Sequence, residues 1–155
     1  MTCTDLTIRL AKPGEAADCA VLFSMDGQDW ETVEQRRERC QREFKEVAAG
    51  RRIILFAYLD GVLVGSAQLA LHVPNLGDGL VQSVVVHSQY RRLGIARSLM
   101  EAIEQKARDF LFQRILLDVH PQNTPAVALY DSLGYIDALD ETPCFSECTR
   151  KQKFI

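Results

Sequence analysis

The stretch VVVHSQYRRLGIARSLM, Val84 to Met100, constrains the fold more than any other part of this 155-residue chain. An apolar run of the kind that forms a buried strand gives way to two arginines and a glycine, and a helical pattern starts at once. A strand that passes this abruptly into a helix belongs to an α/β unit. The helix start presents unbonded backbone N–H groups and a partial positive charge, which together make an anion site. Gly94 has no Cβ, so it allows the tight turn and the approach of a phosphate, while Arg91, Arg92 and Arg97 offer guanidinium groups suited to phosphate oxygens. A solvated turn with surface arginines satisfies the same letters, and a glycine-rich turn alone does not separate the two readings. Two other phosphate motifs are excluded. The Gly-Lys-Ser/Thr ending of a Walker loop is missing, as are the three glycines of a dinucleotide fingerprint.

Around this stretch the pattern predicts an orderly series of elements. GIARSLMEAIEQKARDFLF places Ile95, Leu99, Ala102, Ile103, Ala107 and Phe110 three and four apart, the spacing of an amphipathic helix. RILLDVH reads as a short buried strand and NTPAVALYDSLGY as a helix that ends at Gly134. Strand, helix, strand in this order implies a parallel pair with a right-handed crossover. Upstream, LTIRLA alternates as a strand and ends at Lys12-Pro13-Gly14, and EAADCAVLFSM is helical through Ala16, Ala20 and Phe23. DWETVEQRRERCQREFKEVAAG predicts a second helix, with Trp30, Val33, Cys40, Phe44 and Val47 inward, Asp29 as N-cap and Gly50 as the stop. RIILFAYLDGVLVGSAQLALHV is a hairpin about Asp60-Gly61, and LVQSVVVH follows the turn-rich PNLGDG as a third strand. The tail YIDALDETPCFSECTRKQKFI offers two short strands around an Asp-Glu-Thr-Pro turn. The expectation is one α/β domain over residues 1–155, an α+β mixed sheet without repeats or linkers.

Composition narrows the partners. A chain of this length buries roughly 70% of its unfolded surface without staples. With 47% hydrophobic and 25% charged residues and a formal net charge of -3, it reads as a soluble globular protein with no broad affinity for nucleic acid. The amino end lacks the apolar core of a signal peptide, and no run approaches the ~18 residues of a membrane span, so no membrane is expected. Five scattered cysteines without a Cys-x-x-Cys pair fit a reducing cytoplasm. Cys144 and Cys148 lack the second pair that a zinc site needs, and no metal is expected.

Arg91-Arg92-Leu93-Gly94-Ile95-Ala96 resembles the Gln/Arg-x-x-Gly-x-Gly/Ala signature of the GNAT superfamily of acyl-CoA-dependent N-acyltransferases. NTPAVALYDSLGY resembles the family's second block at Asn123, Ala126, Leu129-Tyr130 and Gly134-Tyr135. Two blocks at this separation are far more specific than either alone, and the element order is similar to the GNAT fold over nearly the whole chain. The resemblance implies a central sheet of six to seven strands splayed between the fourth and fifth, with about four helices. It also implies acetyl-CoA as co-substrate. Its pyrophosphate would lie on Arg91, Arg92, Leu93, Gly94, Ile95, Ala96 and Arg97, and its pantetheine arm along the backbone of Val84, Val85 and Val86, with Asn123 in contact with that arm.

Acyl transfer to an amine needs a neutral amine, a stabilised oxyanion and a proton for the departing thiolate. An alkylamine is neutral in only about one part in a few thousand at pH 7, so a base or a proton path is useful. Tyr130 matches the family's general acid, or else is a core aromatic beside Leu129. A backbone N–H near Val85 or Val86 is implied for the oxyanion. Where relatives carry a carboxylate on the strand before the signature, this chain has Gln82 and Ser83, and an amide is no base. Asp118 matches a Glu proposed as base in relatives resembling ribosomal-protein N-terminal acetyltransferases; a carboxylate paired with a neighbouring loop is the alternative. His120, two residues on, shares the strand face and suits proton relay, or stands at the strand end in solvent. His72 and His87 are weaker choices, and water alone can carry the proton. Asp26, Asp29, Glu31 and Glu34 crowd the start of the second helix, as acceptor-attracting charges or as ordinary partners of the helix dipole.

Three functions remain open: acetylation of a small-molecule amine, which is favoured; acetylation of a protein α-amino group or lysine; and acyl-CoA binding with little turnover. A homodimer through the C-terminal strands is a further expectation.

Overall fold

The computed structural model describes residues 5–26, 31–73 and 75–155. In chain order the elements are β1 (Leu6–Leu10), α1 (Ala16–Ser24), α2 (Val33–Ala48), β2 (Arg52–Leu59), β3 (Val62–Ala70), β4 (Asp78–Val86), α3 (Ile95–Asp109), β5 (Arg114–Val119), α4 (Thr124–Ser132), β6 (Ile136–Asp137) and β7 (Thr149–Phe154), with a 3-10 turn at Ser88–Tyr90. The seven strands form one sheet in the order β1-β2-β3-β4-β5-β7-β6. Among the described residues only the β4–β5 pair is parallel, as a crossover through α3 requires. The β2–β3 turn is Asp60-Gly61, with both residues at positive φ (50° and 82°), the conformation that matches strand twist.

Helices cover both faces. On one, Cys19, Phe23, Cys40 and Phe44 of α1 and α2 bury against Ile54 and Phe56. On the other, Ile95, Leu99 and Ile103 of α3 and Tyr130 of α4 join Leu55, Val64, Leu69, Val81, Ile115 and Leu117. Fully buried side chains of this size each contribute about 1.5–3 kcal/mol. Gly65 sets how closely α3 approaches: a Cβ there would lie 3.0 Å from both Ile95 Cγ2 and Leu99 Cδ1.

Two local expectations are corrected. Asp29 and Trp30 lie outside the described residues, and α2 is capped by Thr32. The Thr32 hydroxyl accepts from the Gln35 N–H (3.1 Å), and Gln35 Oε1 accepts from the Thr32 N–H (2.8 Å). This reciprocal box fixes the start. Val33 then falls in the first turn and is 77% exposed, so the packed face begins one turn later with Arg36, Cys40 and Phe44. Secondly, β4 begins inside the expected turn, at Asp78. There Asp78 stands opposite Arg114 of β5 and takes two of its guanidinium bonds (3.0 and 2.6 Å).

Two features of β4 shape the centre of the molecule. Its pairing with β5 runs from Asp78↔Arg114 to Val81↔Leu117 and stops, although β4 continues to Val86. β5 instead pairs along its whole length with β7. The sheet therefore splays beyond Val81. Between Gln68↔Gln82 and Ser66↔Val85, Ser83 and Val84 stand against Ala67 alone, a bulge with Ser83 at φ 52°. The bulge reverses the alternation of faces. Val81 packs on the α3 side and Gln82 bonds Arg52 on the α2 side; after it Val84 and Val86 pack on the α3 side and Val85 on the α2 side.

Candidate functional site

The splay opens a cavity of about 530 Å3. One wall is β4 from Leu80 to Val85; the facing wall is Leu117 to His120 with Asn123, Ala126 and Tyr130 of α4. Arg39 and Glu43 of α2 close one side, and Cys144, Phe145 and Cys148, between β6 and β7, close another.

The loop that leads into α3 is tied to the lining through Asp26. Gly94 is the N-cap of α3 with φ 78°, and the first helical bond runs from the Ser98 N–H to Gly94 O (3.0 Å), so the amides of Ile95, Ala96 and Arg97 precede the ladder. Arg92 also has positive φ (65°), a second left-handed position in the turn that leads into the helix. A Cβ at Gly94 would meet no protein atom within 4 Å, so the glycine is required by its backbone angle and the turn's outer face is open. Ile95 is 2% exposed, which limits its share in an anion site to its N–H. Arg91, Arg92, Leu93 and Arg97 are exposed. Arg91 donates to the Asp26 carbonyl, tying the loop to the end of α1, and Arg97 Nη2 donates to Ser132 Oγ of α4 (2.5 Å). Asp26 lines the cavity and so joins the loop to it.

Tyr130 is 7% exposed and stacks edge-on against Tyr135, with ring centroids 5.9 Å apart. Burial pushes its phenol up to about 12, so it holds its proton throughout the neutral range. Asn123 caps α4, its Oδ1 accepting from the Ala126 N–H (3.4 Å), and its NH2 is the donor left over.

Asp118 faces β7. Burial pulls its carboxyl up, but Arg150 and the Cys144 N–H outweigh this and hold it below its ordinary value. Arg150, directly opposite in the β5–β7 register, donates to both oxygens (2.7 and 2.9 Å), and the Cys144 N–H adds a third bond (2.9 Å). A carboxylate so held is a weak proton acceptor. Its evident work is to fasten the segment that carries Cys144 and Phe145. His120 is exposed at the strand end; its Nδ1 accepts from the Gln122 N–H (3.1 Å), which puts the proton of the neutral ring on Nε2. Gln82 Oε1 is taken by Arg52 Nη1 (2.7 Å).

The fold thus brings Val84, Val85, Asp118, His120, Asn123 and Tyr130 into one cavity, while Val86 and residues 91–97 stand outside its lining. His87 caps the 3-10 turn through Nδ1, and neither it nor His72 lines the cavity. Glu34 pairs with Arg37 at the surface (2.6 Å) and Glu31 with Arg39 (2.5 Å). Sequence reasoning missed Glu43, Arg39 and Arg150. Glu43 was within reach of it, since three-residue spacing from Cys40 sets it beside the buried stripe. Arg150 was not, because only strand register pairs it with Asp118.

The family model described as "Acetyltransferase (GNAT) family" matches residues 19–135. An N-alpha-acetyltransferase of Saccharolobus solfataricus is 41% identical over 58 residues, 37% of this chain and 35% of that protein. The match therefore spans about a third of such curated relatives. The PaiA N-acetyltransferase of Thermoplasma acidophilum, solved in complex with coenzyme A, has the same fold, with a TM-score of 0.80 at 15% identity over 97% of this chain and 99% of that one. The yncA structure from Salmonella typhimurium, solved with its cofactor acetyl-CoA, aligns with a TM-score of 0.74 at 18% identity over 97% and 94% of the two chains.

Proposed function

Because the chain belongs to the acetyltransferase (GNAT) family, we propose that it moves an acetyl group from acetyl-CoA to the primary amine of a small molecule, by direct attack in a ternary complex. One observation carries this reading: the edge of β4 left without a partner strand past Val81 faces Tyr130 across a cavity, and the loop leading to the glycine-capped start of α3 is bonded to Asp26 of its lining. An extended acyl-pantetheine arm suits such an edge, and a pyrophosphate suits such a helix start. Arg91, Arg92 and Arg97 supply charge, and Leu93 to Ala96 supply backbone. Asn123 offers its NH2 to the arm.

In the reaction the amine nitrogen attacks the thioester carbonyl carbon, and the oxyanion is met by a backbone N–H of Val85 or Val86. Collapse breaks the C–S bond, and Tyr130 gives its proton to the leaving thiolate. The amine's own proton leaves through water and His120. Asp118, already occupied by Arg150, holds the 144–148 wall and takes no proton. A volume of about 530 Å3 is that of a small-molecule site.

The test is calorimetry with acetyl-CoA together with thiol release over a panel of amines. Gly94→Glu puts bulk and negative charge into the anion turn and should weaken acetyl-CoA binding at least tenfold; unchanged affinity removes the phosphate reading. The similarity to an N-alpha-acetyltransferase favours a second acceptor class, the α-amino group of a peptide. Thiol release with peptides and with no small amine would select it, and binding without release for any acceptor would leave only an acyl-CoA-binding domain.

A further inference from the structure

The α2 wall of the cavity carries a carboxylate for which the mechanism above has no use, Glu43. Its side chain is 13% exposed and is held by a built set of partners. Gln68 of β3, 0% exposed, donates from Nε2 to one Glu43 oxygen (2.5 Å) and accepts at Oε1 from Arg52 Nη1 (2.9 Å). The same Nη1 donates to Gln82 Oε1 (2.7 Å). Arg52 thereby turns the oxygens of both amides toward itself and the Gln68 NH2 toward Glu43. Arg39 Nη1 bonds the other Glu43 oxygen (3.1 Å), while its Nε and Nη2 go to Glu31.

An ionised carboxylate has about four acceptor positions. Side-chain donors of the protein take two on Glu43, whereas Asp118 has three filled. The third lining carboxylate, Asp26, belongs to the segment just past α1, where its carbonyl accepts from Arg91. Gln82, with its oxygen engaged, turns a donor to any incoming group, and a donor does not receive an ammonium. Glu43 is thus the acid in this part of the cavity with acceptor capacity for a cation's N–H groups.

We propose that Glu43 docks the acceptor, hydrogen-bonding the ammonium of a primary amine before it loses its proton, and so selects cationic amines. Gln68 and Arg52 position it. This assignment rests on the acetyl-transfer reading of the site.

Glu43→Gln keeps size and removes charge. Steady-state kinetics with 1,4-diaminobutane and with a tripeptide amide should show a KM for the amine raised at least tenfold, with acetyl-CoA affinity by calorimetry within twofold of the parent; the melting temperature should fall a little, since an amide cannot accept from both Arg39 and Gln68. Glu43→Asp, which retains charge one methylene short, should recover part of the loss, and it carries the test if Glu43→Gln fails to fold. An amine KM within twofold of the parent overturns the docking role, as does a parallel loss of acetyl-CoA affinity, the mark of a purely structural tie to Arg39. If the parent binds acetyl-CoA and turns over an amine while the variants match it, only Glu43 is misassigned. If the parent neither binds nor turns over, both readings fall.

Discussion

Tyr130 and Asp118 line the same cavity and are driven in opposite directions by their surroundings. The phenol is surrounded by apolar groups, which favour its protonated form up to about 12, whereas the carboxylate gains three donors that favour its ionised form. The two residues therefore predict different losses. Tyr130→Phe should lower kcat by roughly 10²-fold or more while acetyl-CoA affinity changes little; equal losses in both would reduce the ring to packing. Asp118→Asn should cost about 1.5–3 kcal/mol of stability, read by chemical denaturation, since it removes the charge from a bidentate pair with Arg150. A full-strength fold with abolished turnover would instead make Asp118 the base. Its lowered value also sets a pH direction. Where folding lowers a carboxyl's pKa, the stabilisation is complete above the ordinary value near 3.9 and is lost as pH falls through the folded one. Denaturation midpoints of the parent should therefore drop on acidification below about pH 4, and the part due to Asp118 should be missing in Asp118→Asn.

Among the elements, α3 serves two purposes at once, as one half of the larger core and as the anion end of the site. Its position is set from the sheet side by Gly65. Gly65→Ala would bring a Cβ within 3.0 Å of Ile95 Cγ2 and Leu99 Cδ1 and 3.3 Å of Val85 O, so the helix or the β4 edge must give way. We expect about 1–3 kcal/mol of destabilisation and a weaker hold on acetyl-CoA, although residue 65 contributes no side chain to the cavity. Affinity at parental strength in a destabilised Gly65→Ala protein would separate helix placement from cofactor binding. The capping box of α2 matters likewise for where Arg39 and Glu43 arrive, since it fixes the first turn from which they are counted along the helix.

Over the whole molecule, what the sequence conveys clearly is periodicity. The alternation in LTIRL, the three-and-four spacing of Ile95, Leu99 and Ile103, and the Asp60-Gly61 turn each report a local preference, and each element formed where its pattern lay. What stayed hidden depends on pairing between distant strands. Asp118 resembles a base until β7 brings Arg150 opposite it, and PNLGDG resembles a turn until Arg114 draws Asp78 into β4. Val33 fits the apolar stripe yet stands in the helix's first turn, where it is 77% exposed. The reversal of faces at Ser83 is hidden in the same way, and it bears on how such a chain can change over generations. Straightening the bulge with every residue kept would restore strict alternation and turn Val84, Val85 and Val86 each to the opposite face, whereas loss of one residue together with the bulge would leave all three where they are. Over generations the stretch can therefore shed one residue along with its bulge, but it cannot keep that residue and lose the bulge without turning the valines out of their places.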